Sequence, residues 1–194
     1  MEGAKHGKEV AVPNIEEFEH LTDNWDKSKA SKEVVLNDAA TIAKRWEKIK
    51  RENVYYSCQC KTKDNGFHNK RKVRWQIKIS DDNEEGHMYY IGLAHEFENF
   101  YNKNIDLTGS HFLDIFAGNV LTEGESNSWK DMESIFPGDT IHILHDFDEG
   151  SLFFRINDEE TGMKITKESL KKGSYHLSAM WMKDDDYLEI INPK

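Results

Sequence analysis

Residues Gly138 to Ile156, GDTIHILHDFDEGSLFFRI, constrain the fold more than any other stretch of the chain. Ile141, Ile143 and His145 fall on one face of a first strand, and Leu152, Phe154 and Ile156 share one face of a second. Asp148-Glu149-Gly150 supplies the bend, where Gly150 can take a positive φ at little cost. Pro137-Gly138 marks where the first strand begins, because proline donates no hydrogen bond to a sheet ladder. A bounded β-hairpin with apolar arms and an acidic turn is the expectation.

Six further segments alternate in the same way, with turn residues between them. They are Val54 to Lys61, Lys72 to Ser80, Met88 to Ala94, Phe112 to Phe116, Tyr175 to Met182 and Tyr187 to Ile191, beside the two arms of the hairpin itself. Short strands at such spacing predict an all-β chain folded as a two-sheet antiparallel sandwich or a barrel. The separators Asp81 to Gly86, Asp158 to Glu160 and Asp184 to Asp186 read as solvated turns. One region conflicts: Asn37-Asp38 can cap a helix over Ala39 to Lys50, since Ile42, Trp46 and Ile49 recur at helical spacing. A second short helix, Ile15 to Leu21, follows Pro13-Asn14.

Length and composition support one domain. A chain of 194 residues with 37% apolar and 11% aromatic side chains can build a core. Its 26 basic and 36 acidic residues give a formal net charge of −10, which repels a phosphate backbone and disfavours general nucleic-acid binding. No run approaches the roughly 20 apolar residues of a membrane span, and the start lacks the apolar heart of a secretion signal. A cytoplasmic protein, with the nucleus as the alternative, is the expectation.

Cys58 and Cys60 are the only cysteines. On one strand their Cα atoms lie roughly 6.6–6.8 Å apart on the same face, near the upper limit for a disulfide, so free thiols in a reducing compartment fit better. A zinc site needs two more ligands, and His68 is the sole neighbouring candidate. No cofactor and no metal are expected.

The order of segments resembles a SPRY domain, the β-sandwich interaction module of tripartite-motif ubiquitin ligases, SOCS-box adaptors and ryanodine receptors. The resemblance runs from about Trp25 to Asn192 and rests on four pieces in the right order: VRWQIKI at Val73 to Ile79, YYIGLA at Tyr89 to Ala94, the hairpin with its GDTIHILHDFDEGSLFFRIND pattern, and YHLSAMW ending in Trp181. It departs from the family at Ser110 to Asp114, which lacks the usual Trp and Gly, at Thr161-Gly162-Met163, and at His176, where the family has proline. The resemblance implies a concanavalin-like sandwich over residues 25–194 with an N-terminal extension over 1–24. It also implies strands at Val34 to Leu36 and Thr41 to Arg45, against the local helix pattern.

It further implies a partner protein docked on loops at one rim of the sandwich. Trp181 matches the closing Trp of the SOCS-box adaptors, and Tyr101 falls in the loop where those proteins place a peptide-contacting Tyr. The expected contacts are Tyr101, Trp181, Asp64, Asn65, His68, Phe97, Trp129 and Lys183. Aromatic side chains suit such a rim because they bury much area with few rotors to freeze. The bland alternative for Trp181 is a core position, since it shares parity with Leu177 and Ala179.

Two other features bear on function. Lys61 to Arg74 carries six Lys or Arg against one Asp, the only basic stretch, and reads either as a solvated loop or as a contact for an acidic peptide or RNA. His142, His145, Asp146 and Asp148 contain the residue types of an acid-base or metal site, but His142 and Asp146 face one side of the strand and His145 the other. No phosphate-cradling glycine motif and no nucleophile elbow is present. The expectation is therefore a non-enzymatic domain, monomeric on its own, that binds a short peptide or a surface loop of a protein. A structural subunit docked through residues 1–24, and a lectin-like sugar binder, are the alternatives.

Overall fold

The computed structural model describes residues 7–45, 56–63, 71–80, 89–95, 108–129, 135–136, 138–181 and 187–194. In chain order the strands are β1 (Gly7–Ala11), β2 (Glu19–His20), β3 (Trp25–Ala30), β4 (Val34–Leu36), β5 (Ile42–Arg45), β6 (Tyr56–Lys63), β7 (Lys72–Ser80) and β8 (Tyr89–Ala94). They continue as β9 (Ser110–Asp114), β10 (Asn119–Thr122), β11 (Glu125–Ser128), β12 (Thr140–Asp146), β13 (Ser151–Ile156), β14 (Thr161–Thr166), β15 (His176–Trp181) and β16 (Tyr187–Ile190). One helical turn, α1 (Ser169–Lys172), lies between β14 and β15.

The strands form two sheets. The first runs β1-β14-β13-β12-β7-β16-β5-β4, with β2 alongside β7, and the second runs β11-β10-β9-β8-β15-β6-β3. All pairs but β2 with β7 are antiparallel. The predicted hairpin is β12 and β13, in register from Ile141 opposite Ile156 to Asp146 opposite Ser151, and Gly150 takes φ +67° in its bend. The inward face is the one the alternation assigns: Ile141, Ile143, Leu152, Phe154 and Ile156 all lie in the main core.

That core fills the space between the sheets with large side chains. Trp25, Trp75, Trp181, Tyr56, Tyr89 and Tyr175 are all fully buried within it. Burying each such side chain contributes roughly 1.5–3 kcal/mol, so the aromatic residues supply much of what orders the chain. The free thiols of Cys58 and Cys60 lie here as well, and burial raises both well above the usual thiol range. A raised thiol stays protonated, which makes it a poor nucleophile.

Two smaller clusters cover the outer faces. On the first sheet, Phe18, Leu144 and Phe153 pack with Val10, Val12 and Ile15, so residues 7–20 lie against their own sandwich. Lys72 fastens this segment, with Nζ 2.7 Å from a Glu17 carboxylate oxygen and 5.5 Å from the centre of the Phe18 ring. The expected helix over Ile15 to Leu21 is shorter than the pattern predicts: a single 3-10 turn, Ile15–Glu17, with Asn14 accepting from the Glu16 N–H. On the second sheet, Ala94, Phe112 and Met180 form a cluster with Tyr90 and Leu121.

The helix predicted over Ala39 to Lys50 is not formed in its described part. Residues 42–45 are strand β5, paired with β4 on one side and β16 on the other, as the resemblance implies. The physical reason is tertiary: as a strand, β5 gains two ladders of hydrogen bonds and sends Ala43 into the core, which an isolated helix cannot match. Trp46 and Ile49 lie outside the described residues.

Candidate functional site

The register of the second sheet gives the sandwich two distinct ends. Trp181 lies opposite Tyr89 of β8 and opposite Tyr56 of β6, whereas His176, at the start of the same strand, lies opposite Ala94 and Lys63. We call these the tryptophan end and the histidine end. In the first sheet, Ser80, Thr140 and Tyr187 belong to the tryptophan end, and Lys72, Asp146 and Ser151 to the histidine end.

At the tryptophan end, side-chain and backbone bonds fix two short turns. Ile115 N–H donates to Tyr89 O at 3.1 Å, Asp114 Oδ1 accepts from Ala117 N–H at 3.0 Å, and Trp129 N–H donates to Gly118 O at 3.0 Å. This leaves Phe116 at the tip of the β9–β10 turn with 64% of its surface exposed. In the facing sheet, Gly138 N–H donates to Ile79 O at 2.7 Å and Asp139 Oδ2 accepts from Phe136 N–H at 2.6 Å, and Phe136 is again 64% exposed. Asp139 Oδ1 also accepts from Asn157 Nδ2 at 2.8 Å, which ties this turn to the one between β13 and β14. Arg155 anchors that second turn by donating to Glu159 O at 2.9 Å and to Asp158 Oδ1 at 3.3 Å.

Exposing an aromatic ring to water is unfavourable, and isolated cases need no explanation. Here each sheet contributes one phenylalanine at the same end, and both are held by turn hydrogen bonds rather than by packing.

The histidine end is covered, among the described residues, by one crossing segment. Residues 167–175 cross between the sheets there, with Leu170 fully buried and its carbonyl accepting from His145 Nε2–H at 2.9 Å. Ser169 Oγ donates to Glu123 Oε1 at 2.5 Å, and Lys167 Nζ reaches Glu123 and Glu125 at 3.4 and 3.3 Å. Tyr175 stacks on His95 at 4.6 Å between ring centres and meets His111 edge-on at 5.3 Å. His111 Nδ1 shares a 2.5 Å hydrogen bond with Thr122 Oγ1, and burial lowers its pKa to about 4, so the imidazole is neutral at ordinary pH. A neutral ring in this position serves packing and hydrogen bonding.

The expected contact residues divide between these ends. Trp181 and Trp129 are at the tryptophan end but lie in the main core, 0% and 3% exposed. Trp181 therefore occupies the core position that its parity with Leu177 and Ala179 offered as the alternative, and its indole Nε1 has no acceptor among the described residues. Asp64, Asn65, His68, Phe97, Tyr101 and Lys183 lie outside the described residues. Lys63 and His95, which lead into the segments holding the first five, are at the histidine end, opposite to the end Trp181 occupies. Phe116 and Phe136 escaped the sequence reading, and the available signal was an aromatic residue inside each of two turn-forming stretches, Asp114 to Gly118 and Phe136 to Asp139.

The His-Asp set of the hairpin is split as its parity predicts. His142 is on the outer face, beside Gln76 Nε2 at 3.1 Å, while His145 points inward. Asp146 Oδ1 accepts from the N–H groups of Asp148 and Glu149, both at 3.0 Å, and Asp148 pairs with Arg71 at 3.0 Å. These carboxylates shape the bend. Among the described residues no group of three or more His, Cys, Asp or Glu side chains is placed to hold a metal ion, and no helix is long and apolar enough to cross a membrane.

This two-sheet architecture defines a class: the chain has a divergent SPRY-like β-sandwich fold. Three solved structures carry the likeness. The SPRY domain of human HERC1 superposes with a TM-score of 0.67 at 14% identity, covering 88% of this chain and 99% of that one. The TRIM65 PSpry domain follows at 0.64 and 13%, covering 90% and 92%. Stonustoxin matches at 0.65 and 8%, covering 89% of this chain and 27% of its own. No protein-family model matches the sequence, and no curated protein sequence does. At such identities the likeness speaks for the fold.

Proposed function

We propose that the chain is a non-enzymatic protein-interaction domain that binds a short peptide or a surface loop of a partner protein through the tryptophan end of the sandwich. The observation that carries this reading is the pair of outward phenylalanines, Phe116 and Phe136, one from each sheet. Large exposed aromatic residues are favoured anchors in protein recognition, because they bury area on docking and lose little conformational freedom. The folds it resembles are the SPRY domain of HERC1 and the PSpry domain of TRIM65, a class of interaction modules, which supports the reading.

In this reading Lys183, two residues beyond Trp181, contributes to the same surface, and Trp181 and Trp129 support it from beneath. Asp64, Asn65, His68, Phe97 and Tyr101 form a second set of contacts, tested separately. Buried, free Cys58 and Cys60 fit an intracellular setting.

The test is a pull-down from native cell extract with the wild-type chain, the Phe116→Ser/Phe136→Ser variant and a Lys171→Glu/Lys172→Glu variant, compared by quantitative mass spectrometry. Partners lost from the phenylalanine variant and kept by the lysine variant support the assignment. Partners retained by both variants overturn it.

A further inference from the structure

The outer face of the first sheet gathers guanidinium and imidazole side chains at its middle. Alternation sends Arg74, Gln76, His142 and Arg155 outward, since their strand neighbours Trp75, Ile77, Ile143 and Phe154 lie in the main core. His142 of β12 is directly opposite Gln76 of β7 on one side and Arg155 of β13 on the other. Arg74, two residues before Gln76, takes the diagonal position to His142, where neighbours are about 7–8 Å apart and long side chains still meet. His20 of β2 flanks Arg74.

Hydrogen bonding leaves several donors of this cluster uncommitted. Gln76 Nε2 is 3.1 Å from His142 Nδ1, and an amide nitrogen only donates, so the His142 proton sits on Nε2. That Nε2–H has no acceptor among the described residues. His20 Nε2–H donates to the Ile191 carbonyl at 2.8 Å. Arg155 donates through Nε to Glu159 O and through Nη2 to the Asp158 carboxylate, which leaves Nη1. At Arg74 the Nε is buried without a partner, and its guanidinium pairs with no carboxylate among the described residues, although the chain holds 36 Asp and Glu. An unpaired donor shut off from water costs about 1–3 kcal/mol, so this is not an ordinary solvated arginine. Burial first, and the neighbouring guanidinium charges after it, lower the pKa values of His20 and His142, as crowded cations should.

We infer that Arg74, His142 and Arg155 form a binding site for a phosphate group on the outer face of the first sheet. Two guanidinium groups flank one N–H donor, and an anion that accepts from all three relieves their mutual repulsion. The donors come from three separate strands, which suits the diverging oxygens of a phosphate better than the two coplanar oxygens of a carboxylate. Leu144 and Phe153, packed beneath residues 10–18, border the cluster and lower the local dielectric, which strengthens such bonds. The Asp158 carboxylate that already meets Arg155 is fully exposed, so a phosphate competes only with a screened pair. The formal net charge of −10 is itself screened beyond about 8–10 Å at physiological salt, whereas these donors act on contact. The site is independent of the peptide-binding reading, since neither Phe116 nor Phe136 takes part in it.

Side-chain NMR signals of the full chain test it, with inorganic phosphate and a blocked phosphoserine each titrated against sodium chloride of equal ionic strength. Phosphate should shift the His142 ring and Arg74 Nε–H signals along a saturating curve, and chloride should not. Equal or tighter binding of inorganic phosphate assigns the site to the free ion, and tighter binding of phosphoserine assigns it to a phosphorylated protein segment. Arg74→Gln should weaken binding at least about tenfold, as loss of a hydrogen bond to a charged group implies, and Lys171→Glu/Lys172→Glu should leave it unchanged. The ring signal of His111, buried elsewhere in the fold, reports whether Arg74→Gln stays folded. Should it unfold, Arg155→Gln and His142→Gln must show the loss instead. Shifts no larger than those with chloride, or saturating binding that these variants leave intact, overturn the inference.

Discussion

A side-chain carbon on Gly92 would sit 2.0 Å from the carbonyl oxygen of His111, in the strand directly alongside. Such a contact is far inside van der Waals range, and the obstacle is backbone, which cannot rotate away. Gly92→Ala should therefore force β8 and β9 apart in the middle of the second sheet. Overpacking of this kind costs typically 1–3 kcal/mol, and the rigid neighbour places Gly92→Ala at about the upper end. Urea unfolding of the variant gives the value, and a change below about 0.5 kcal/mol would show that the strands can part freely.

Trp181 invites a contrast with the exposed phenylalanines. Its ring is fully buried in the main core, so Trp181→Ala should leave a large cavity and destabilise by about 3–5 kcal/mol. Phe116→Ser, at a 64% exposed position, should change stability by less than about 0.5 kcal/mol. Thermal melts of the two variants side by side decide the matter. Near-wild-type melting of Trp181→Ala would return that ring to the rim.

Acid sensitivity follows from two buried histidines. Burial lowers both His111 and His142 to about 4, with Arg155 and Arg74 adding to the effect on His142. In the unfolded chain each takes up its proton near pH 6.5. Between pH 6.5 and 4 the unfolded state thus binds more protons than the folded one, and stability, complete above pH 6.5, falls with pH. The slope reaches about 1.4 kcal/mol per pH unit for each group. Denaturant midpoints at pH 7, 6, 5 and 4.5 should decline accordingly, and His111→Gln/His142→Gln should flatten the decline. An equally steep loss in that double variant would assign it to other groups.

The segment entering β3 and the segment leaving β16 are joined by Asp23 and Asn192. Asn192 Oδ1 accepts from Asp23 N–H at 2.9 Å and its Nδ2 donates to Asp23 O at 3.1 Å, while the Asp23 carboxylate accepts from the Trp75 indole at 3.3 Å. Asp23→Ala leaves the buried indole N–H without that acceptor, at a cost of about 1–3 kcal/mol. Asn192→Ala should cost less, because its partners are partly buried and water can replace it. Hydrogen exchange at the amide of residue 23 reports the second change, and protection equal to wild type would argue against the clamp.

The parts of the fold that were legible in the sequence are those whose side chains alternate against a core. β7 and β12 begin and end where alternation places them, and the turn with Gly150 follows from its own residues. Strand β14 went unread although it sends Met163 and Ile165 into the core, and strands β1, β3 and β11 went unread because their stability lies elsewhere. β3 (WDKSKA) fully buries only Trp25, with Ala30 half-buried against the core, and β11 (ESNS) buries only Asn127. Strands of this kind are held by backbone ladders to a neighbour, which no local pattern records. The site was less legible for a related reason. Which strand ends lie together depends on strand order, and the pairing of β15 with both β6 and β8 is a long-range fact that puts Lys63 and Ala94 opposite His176, away from Trp181.

The direction of the outermost strands has a practical side. β1 starts beside Ile165 at the histidine end, and β16 runs from Tyr187 opposite Ser80 toward Ile190 opposite Ile77, heading away from the tryptophan end. Anything fused ahead of Gly7 or behind Ile190, whether an affinity handle, a fluorophore or a sensor-chip linker, is thus attached on the far side of the molecule from Phe116 and Phe136. A surface-immobilised chain coupled through either flank would offer Phe116 and Phe136 to the solution, which makes it ready for binding measurements without re-engineering.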